Sequence, residues 1–325
     1  MRRLALLLAA VFAAGALKAA STDLGGAFTD TDTGTRPLGM GGAFTAVADD
    51  ANATQENPAG MGFFGDKQHF ATLSYANLYS LGILTQSYVA YAQGDQGYGA
   101  IGLSWQRLQA SLDPNTWSED EFVYSGAKLF MGSDDDAWPK LSVGWQLKYL
   151  QVNSDLTTDL AGTEVSGGDA RGYGIGAGAM LKLRPSLTLG VMIQDLYSTL
   201  TWATGTIETI PLSLRGGAAY HVTDTTLFSA EVRGSDGSSG VGLSGWNGGV
   251  EHWIFDGKSL RWNFIKNVGV RAGYYDLFAN QDSGVLTAGA TVQTDMWQID
   301  YSFEYAVSDT NQLGNTQRFG LGANF

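Results

Sequence analysis

The stretch Trp297-Gln298-Ile299-Asp300-Tyr301-Ser302-Phe303-Glu304-Tyr305 decides the predicted fold. Its apolar and polar side chains alternate without exception, so an extended strand would carry the apolar ones on one face and the polar ones on the other. The length is also informative. A tilted strand needs about 10 residues to cross a membrane, whereas strands of soluble sheets are most often about 5 or 6 residues long. The pattern therefore indicates a membrane-spanning β-strand.

The same alternation recurs from about Gln68 to the C-terminus, and turn residues separate the segments, of which we count fourteen. An even number of strands puts both termini on the same side, as bacterial barrels require. The sequence thus predicts an all-β fold, a transmembrane antiparallel β-barrel of about 14 strands in a bacterial outer membrane, with both termini periplasmic. The predicted strands span 68–77, 83–92, 97–108, 119–131, 139–152, 170–183, 186–197, 207–220, 225–234, 241–255, 260–275, 284–293, 296–306 and 316–325.

The connections between these segments alternate in length, as they do in outer-membrane barrels. If the first strand rises from the periplasm, the periplasmic turns are the short ones and the external loops are the long ones. The short turns fall near 93–96, 132–138, 184–185, 221–224, 256–259 and 294–295. The longer loops fall near 109–118, 153–169, 198–206, 276–283 and 307–315.

The composition agrees with such a barrel and excludes several classes of function. The 325 residues include 44 glycines, and aromatic residues reach 12% while charged residues fall to 16%. A net charge of −13 argues against nucleic-acid binding, which needs a basic surface to neutralise phosphates. The absence of cysteine excludes disulfides, thiolate metal sites and a lipoprotein anchor.

Residues 1–20 have the pattern of a cleaved signal peptide. Met1-Arg2-Arg3 supplies the positive charge, Leu4 to Ala16 is apolar, and small residues follow. The apolar run is too short for a transmembrane helix, which needs about 20 residues. Every later apolar stretch is interrupted, so a mature protein that spans a membrane must do so as a closed barrel.

Residues 21–66 do not alternate and carry a distinct motif. Arg36 is followed by Gly39-Met40-Gly41-Gly42-Ala43, Asp49-Asp50-Ala51 and Asn57-Pro58-Ala59-Gly60. This series resembles the start of the mature FadL-like and PorV/PorQ outer-membrane proteins in order and spacing. The short chain and the Gln68-His69-Phe70 entry into the first strand favour PorV/PorQ over the FadL transporters.

The resemblance implies a 14-stranded barrel over 67–325 and an N-terminal hatch over 21–66 that folds into the lumen with one or two helical turns. The glycines permit a tight turn, Ala43 to Asp50 could supply the helical turns, and Pro58 biases Asn57 toward extended geometry. These residues either contact a ligand or the wall, or simply form a turn and a stop. The candidates are Arg36, Gly39, Met40, Gly41, Gly42, Asn57, Pro58 and Ala59.

The glycines of the predicted strands form a second pattern. Gly97, Gly99 and Gly102, and later Gly172, Gly174, Gly176 and Gly178, recur at short spacing. Glycine normally weakens a strand. Inward-facing glycines would either relieve crowding in the lumen or let a plug or ligand approach the wall.

The last strand ends in a pattern of its own. Phe319, Leu321, Ala323 and Phe325 share one face, and the chain ends at Phe325. A terminal strand of this kind resembles the signal that the barrel-assembly machinery reads. We therefore expect that machinery to be a partner, with Phe319, Leu321 and Phe325 as the recognised residues.

No catalytic, metal or cofactor motif is found. His69, His221 and His252 lie in separate strands or turns without ligand spacing, so neither a metal nor a cofactor is expected. Asp30-Thr31-Asp32-Thr33-Gly34 lacks the distal Glu of a calcium loop, and the glycine block lacks the Lys of a phosphate loop. An enzyme is not expected, although distant strands could in principle assemble a Ser-His-Asp site.

Three functions remain open. The hatch motif favours passage of a hydrophobic small molecule across the outer membrane. The resemblance to PorV gives the alternative of a partner in type IX-like protein secretion, with a secretion-system protein docked on the external loops. A purely structural or adhesive barrel is the third. Outer-membrane lipid and lipopolysaccharide are expected partners in each case.

Overall fold

Strand β1 (His69–Asn77) pairs antiparallel with its neighbour in sequence, β2 (Leu84–Gln93), and with the last strand of the chain, β17 (Thr316–Asn324). This pairing closes the sheet. In the computed structural model the wall is a closed antiparallel barrel of 14 strands, as the alternation predicts. The structure describes residues 27–28, 32–112, 115–132, 138–155, 157–160, 163–166, 168–237, 240–254, 264–277, 284–307 and 314–325. The predicted signal peptide lies outside the described residues.

The remaining strands are β3 (Ala100–Leu112), β4 (Asn115–Met131), β5 (Lys140–Ser154), β6 (Thr157–Leu160), β7 (Thr163–Ser166), β8 (Ala170–Arg184), β9 (Leu187–Trp202), β10 (Ile207–Glu208), β11 (Ser213–Thr223), β12 (Thr226–Gly237), β13 (Gly240–Trp253), β14 (Asn267–Leu277), β15 (Gly284–Gln293) and β16 (Trp297–Ala306). Strands β6 and β7 form a separate hairpin, and the two residues of β10 pair antiparallel with Leu200 and Thr201 of β9. Short helices span Thr35–Gly39 and Ala53–Glu56, and 3-10 turns span Pro58–Phe63 and Leu78–Ser80. In the described ranges, no helix is long and apolar enough to cross a bilayer.

The two faces of each strand have opposite chemistry. In β16, Trp297 and Ile299 are more than half exposed on the outside, whereas Asp300 and Ser302 are buried on the inside. The same holds around the wall, where outward aromatic side chains contact one another, as Tyr301 and Phe319 do at 5.2 Å between ring centroids. An apolar outside and a polar inside suit a wall that faces lipid and encloses a polar lumen.

The wall is taller on one side than on the other. Strands β4, β5, β8 and β9 have 17, 15, 15 and 16 residues, while β1 and β17 have 9 each. The expected loop over 109–118 is therefore wrong, because β3 and β4 continue pairing up to Leu112 and Asn115. Continued cross-strand hydrogen bonding extends both strands beyond the point where the alternation fades.

Two further predicted boundaries differ from the structure. The predicted strand 207–220 is broken, and β11 begins only at Ser213, because Pro211 lacks the N–H that a ladder bond needs. The predicted strand 260–275 also begins later than expected, at Asn267, while the predicted short turn at 256–259 lies outside the described residues. Strand β14 starts at Asn267, opposite the end of β15 at Gln293, so an earlier start would have no partner there.

The N-terminal segment lies inside the barrel, and we call residues 32–64 the plug. Its apolar side chains, including Met40, Phe44 and Met61, form a core that is fully buried within the lumen. Within Ala43 to Asp50 the structure has one isolated turn, in which the N–H of Ala48 donates to the carbonyl of Phe44 at 3.0 Å. The N–H of Thr45 donates to Glu231 of the wall at 3.0 Å, and the regular helices lie on either side of this stretch.

Candidate functional site: the plug and the lumen

Arg36 fixes the start of the plug to the wall. Its Nε and Nη2 each donate to the carboxylate of Glu251 on β13 at 2.8 Å, and its Nη1 donates to Asp49 and Asp50 at 2.5 and 2.8 Å. Arg271 on β14 donates to the same Glu251 at 2.5 Å. Buried charges are stable only when they are paired and hydrogen-bonded. The plug and two wall strands therefore share one ion-pair network.

The glycine block Gly39–Gly42 approaches the wall at backbone distance. Gly41 and Gly42 have φ of 63° and 71°, a conformation that favours glycine. The N–H of Gly41 donates to Thr287 Oγ1 at 3.0 Å, and the carbonyl of Gly41 accepts from Asn247 Nδ2 at 2.7 Å. Opposite the block, a β-carbon at Gly249 or Gly273 would overlap the backbone of Met40 or Gly41. Met40 itself is fully buried.

Asn57-Pro58-Ala59 contacts the other side of the lumen. Asn57 is extended, its Nδ2 donates to the carbonyl of Thr45 at 2.8 Å, and Pro58 opens a 3-10 turn. A β-carbon at Gly178 of β8 would overlap Asn57 Oδ1, and one at Gly144 of β5 would overlap the backbone of Ala59. At Gly178, and at Gly102 beside Thr54, the absence of a side chain on the wall leaves space for the plug. Gly97 and Gly99 instead lie in a turn with positive φ.

A second ion-pair network lies deeper in the lumen. Arg215 Nη1 is 3.0 Å from Glu56 Oε2 and 3.4 Å from Asp32, while Arg233 binds Asp32 at 2.8 Å and Glu231 at 3.0 Å. Burial raises the pKa of Glu56 to about 8, since Asp32 and Glu231 add to the burial and Arg215 only partly offsets it. Glu56 therefore gains a proton near neutral pH.

Gln55 joins the plug to a third cluster on the tall side. Its Nε2 donates to Glu121, and its carbonyl accepts from Gln194 at 3.1 Å. Lys148 lies 3.5 Å from Glu121 and 3.1 Å from Asp195. The three clusters make the middle of the lumen polar and charged.

A buried apolar cluster, which we call the Phe28 pocket because the ring of Phe28 fills its centre, lies at the long-loop end of the tall wall. Phe28 is 8% exposed, and its N–H donates to Glu119 Oε2 at 2.8 Å. Two tryptophans, Trp117 and Trp202, cover the pocket with ring centroids 6.0 Å apart. Its buried lining residues are Leu150, Val152, Ala170, Leu200 and Ile210.

The wall is interrupted beside this pocket. The pairing of β9 with β11 ends at Gln194 and Ser213, and β9 pairs again only at Leu200 and Thr201, with β10. The register between β8 and β9 also shifts here, and Asp195 has φ of 54°. We call this place the β9–β11 gap. Ser198 Oγ bridges it, because it donates to the carbonyl of Ile210 and accepts from its N–H, both at 2.9 Å.

At the opposite end, a polar cavity of about 200 Å³ opens beside the short turns. Arg36, Asp49, Asp50 and Glu251 are among its lining residues, so it is the solvent-facing side of the first ion-pair network. Among the described residues, no group of three or more His, Cys, Asp or Glu is arranged to hold a metal ion. His69, His221 and His252 lie on different strands. Most of the predicted short turn near 132–138 lies outside the described residues.

The structure brings all eight predicted hatch residues against the wall, and their contact with a ligand stays a prediction. Phe319, Leu321 and Phe325 lie on the outer face, and their recognition by the assembly machinery also stays a prediction. The sequence analysis missed the wall residues that bind the plug. They could have been found as charges on the polar face of alternating strands. Those that bind the plug directly are Glu121, Arg215, Glu231, Arg233 and Glu251. Lys148 pairs with Glu121, and Arg271 pairs with Glu251 and Asp300.

The fold and lumen together define a plugged, 14-stranded β-barrel. Similar solved structures include the CymD monoaromatic hydrocarbon channel, with TM-score 0.61, 14% identity and coverage of 92% of this chain and 98% of that one. A Pseudomonas aeruginosa FadL homologue has TM-score 0.56 and 15% identity, with coverage of 92% and 99%. The Pseudomonas putida toluene transporter TodX has TM-score 0.56 and 13% identity, with coverage of 91% and 98%.

At these identities the likeness shows the fold. No protein-family model matches the chain, and no curated protein matches it. The finer resemblance to PorV and PorQ gains no support from the comparisons.

Proposed function

We propose that the protein is an outer-membrane channel for small hydrophobic molecules, which occupy the Phe28 pocket and leave sideways through the β9–β11 gap. The observation that carries the proposal is that the pocket and the gap adjoin. Ile210 lines the pocket and is also the residue that Ser198 bridges across the gap. A molecule in the pocket therefore lies next to a place where two neighbouring wall strands are not paired.

The chemistry of the two routes supports a lateral exit. The axial route through the plug passes three buried ion-pair clusters, where an apolar molecule would replace solvating polar groups without offering hydrogen bonds. Beside the gap, Leu196 and Tyr197 are 53% and 63% exposed on the outer face. Transfer from the pocket to lipid keeps an apolar molecule out of water throughout.

The names of the similar structures, a monoaromatic hydrocarbon channel and a toluene transporter, favour molecules the size of one aromatic ring. The apolar outer face and the short turns at the end where β1 begins favour an outer-membrane location with periplasmic termini. No contact of the described residues favours the alternative of a secretion partner.

The test uses radiolabelled toluene and bacterial cells that lack their own hydrophobic channels. Cells that express the full chain should take up toluene faster than cells with an empty vector. Because the chain has no cysteine, Ser198→Cys with Ile210→Cys introduces a single disulfide across the gap. Oxidation should abolish the added uptake, and a reductant should restore it.

The matched control is Leu189→Cys with Ala218→Cys, which joins the same two strands where they are paired. It should leave uptake unchanged. If uptake continues after the disulfide of the Ser198→Cys and Ile210→Cys variant has formed, the lateral exit is excluded. Absence of uptake by the unmodified chain would exclude a toluene channel.

A further inference from the structure

Two arginines lie on the outer face of the tall wall. Arg107 on β3 follows Leu103 and Trp105 on that face, while the intervening Ser104 faces inward and donates to Gln55 of the plug. Arg171 on β8 is exposed, and the residues before and after it are buried, so it also lies on the outward-facing side of its strand. Both guanidinium groups are therefore directed away from the lumen.

Strand pairing puts the two arginines in one cross-strand row. Arg107 pairs with Asp120, Asp120 with Gln151, and Gln151 with Arg171. Three steps between neighbouring strands, of about 4.8 Å each, separate the α-carbons of the two arginines by about 14 Å. We call these four residues the outer polar row.

The outer polar row marks the edge of the apolar outer face. On the side of the short turns, the next outward residues of β4, β5 and β8 are Phe122, Tyr149 and Tyr173, which are 44%, 41% and 63% exposed. On the side of the long loops, the next outward residues of β4 and β5 are Ser118 and Asn153. Aromatic girdles mark the boundary between hydrocarbon and headgroups. The row therefore lies at the level of lipid headgroups.

The guanidinium groups of the row are only partly paired with acceptors on the described residues. Arg107 donates from Nε and Nη2 to Asp120 at 2.8 Å each and lies 5.6 Å from the ring of Trp105, which holds the guanidinium in place. Its Nη1 has no acceptor among the described residues. Arg171 has no acidic partner in the described part of the chain.

We infer that the outer polar row binds the two phosphates of a diphosphorylated glycolipid, the lipid anchor of lipopolysaccharide. Arginine suits this ligand because its planar fork donates two parallel hydrogen bonds to one phosphate. A disaccharide with a phosphate at each end presents two anionic groups across a distance that the two side chains can span. Gln151 lies between them, opposite the sugar. The inference rests on the outer-membrane location proposed above and not on transport.

The test measures binding of the purified full chain in detergent to lipid A with two, one or no phosphates, by native mass spectrometry. Affinity should fall at least tenfold when both phosphates are absent, with the monophosphorylated lipid between. Phosphatidylglycerol, which has one phosphate and no disaccharide, should bind no better than the monophosphorylated form. Equal affinity for all four lipids would overturn the inference.

Arg171→Gln removes one charge without breaking an ion pair that we describe, and it should weaken binding of the diphosphorylated lipid several-fold. Arg107→Gln with Arg171→Gln should reduce it to the level of the dephosphorylated lipid. The matched control is Lys128→Gln, which removes an outward cation at the short-turn end of β4 and should leave binding unchanged. Wild-type affinity in the double variant, with barrel formation verified on a gel, would also overturn the inference.

Discussion

The guanidinium of Arg36 and the carboxylate of Glu251 form a two-point fork, with both N–O distances 2.8 Å, although 215 positions separate them in the sequence. Both side chains are buried, and the fork joins the first helical turn of the plug to β13 near the short-turn end of the wall. Because Arg271 shares Glu251 and also binds Asp300, the plug is fixed to a network of side chains on β13, β14 and β16.

Replacing Arg36 with Ala should loosen the plug. Removal of one partner from a buried ion pair typically costs about 3–5 kcal/mol, because the other charge stays buried without compensation. The change should appear as faster protease cleavage of the plug and a lower urea midpoint. The control is Asp295→Ala, which breaks an exposed pair with Lys266 at 3.1 Å and should cost less than about 1 kcal/mol. Equal effects of both substitutions would contradict the proposed role of Arg36.

Gly249→Ala should displace the plug, while Gly248→Ala on the same strand should not. A β-carbon at Gly249 would overlap the carbonyl of Met40, whereas one at Gly248 would meet its nearest atoms only at 3.9 Å. Backbone cannot move aside as a flexible side chain can, so the wall or the plug must shift. Thermal unfolding followed by tryptophan fluorescence should separate the two variants by several degrees. Identical midpoints would show that the plug does not pack as described.

The sequence predicts the wall well and the lumen poorly, for a physical reason. Alternation in a strand such as 297–305 shows which face is apolar, because the polarity of each side chain depends only on whether that residue faces lipid or the lumen. It cannot report that Arg36 meets Glu251, since that contact depends on where the plug enters a closed barrel. The β9–β11 gap had a visible signal in Pro211, which cannot donate to a ladder, but the run around it alternates well enough to pass as one strand.

The pH dependence of stability should change in Glu56→Gln. The pKa of Glu56 is raised to about 8 in the folded protein by burial, whereas an unfolded glutamate titrates near about 4.3. The folded state therefore binds the extra proton between these values, and stability falls as pH rises through that window. Glutamine keeps the hydrogen-bonding shape without the ionisation. Urea midpoints between pH 5 and 8.5 should fall less in the variant, and parallel curves would exclude Glu56 as the titrating group.

The mature protein should migrate faster on a gel before boiling than after it. A closed barrel has no free strand edge from which to unravel, so it resists detergent until heated. The control is a chain truncated before β17, which removes the strand that pairs β1 with β16 and should leave the barrel open. That form should migrate at one position with or without boiling. A single position for the full chain would contradict the closed wall.

Phe28→Ala should strengthen the binding of a single-ring hydrophobic molecule to the purified protein. The phenyl ring of Phe28 fills the pocket formed by residues such as Leu150 and Leu200, so a ligand must displace it before entering. Removing the ring leaves an apolar cavity, and such cavities bind apolar guests of matching size. Toluene affinity, measured by calorimetry, should rise several-fold in Phe28→Ala and stay near wild type in Phe28→Leu. The control is Phe319→Ala on the lipid-facing surface, where the ring is 57% exposed. Unchanged toluene affinity in Phe28→Ala would show that the Phe28 pocket is not the ligand-binding site, and the proposed route would then lack a binding site.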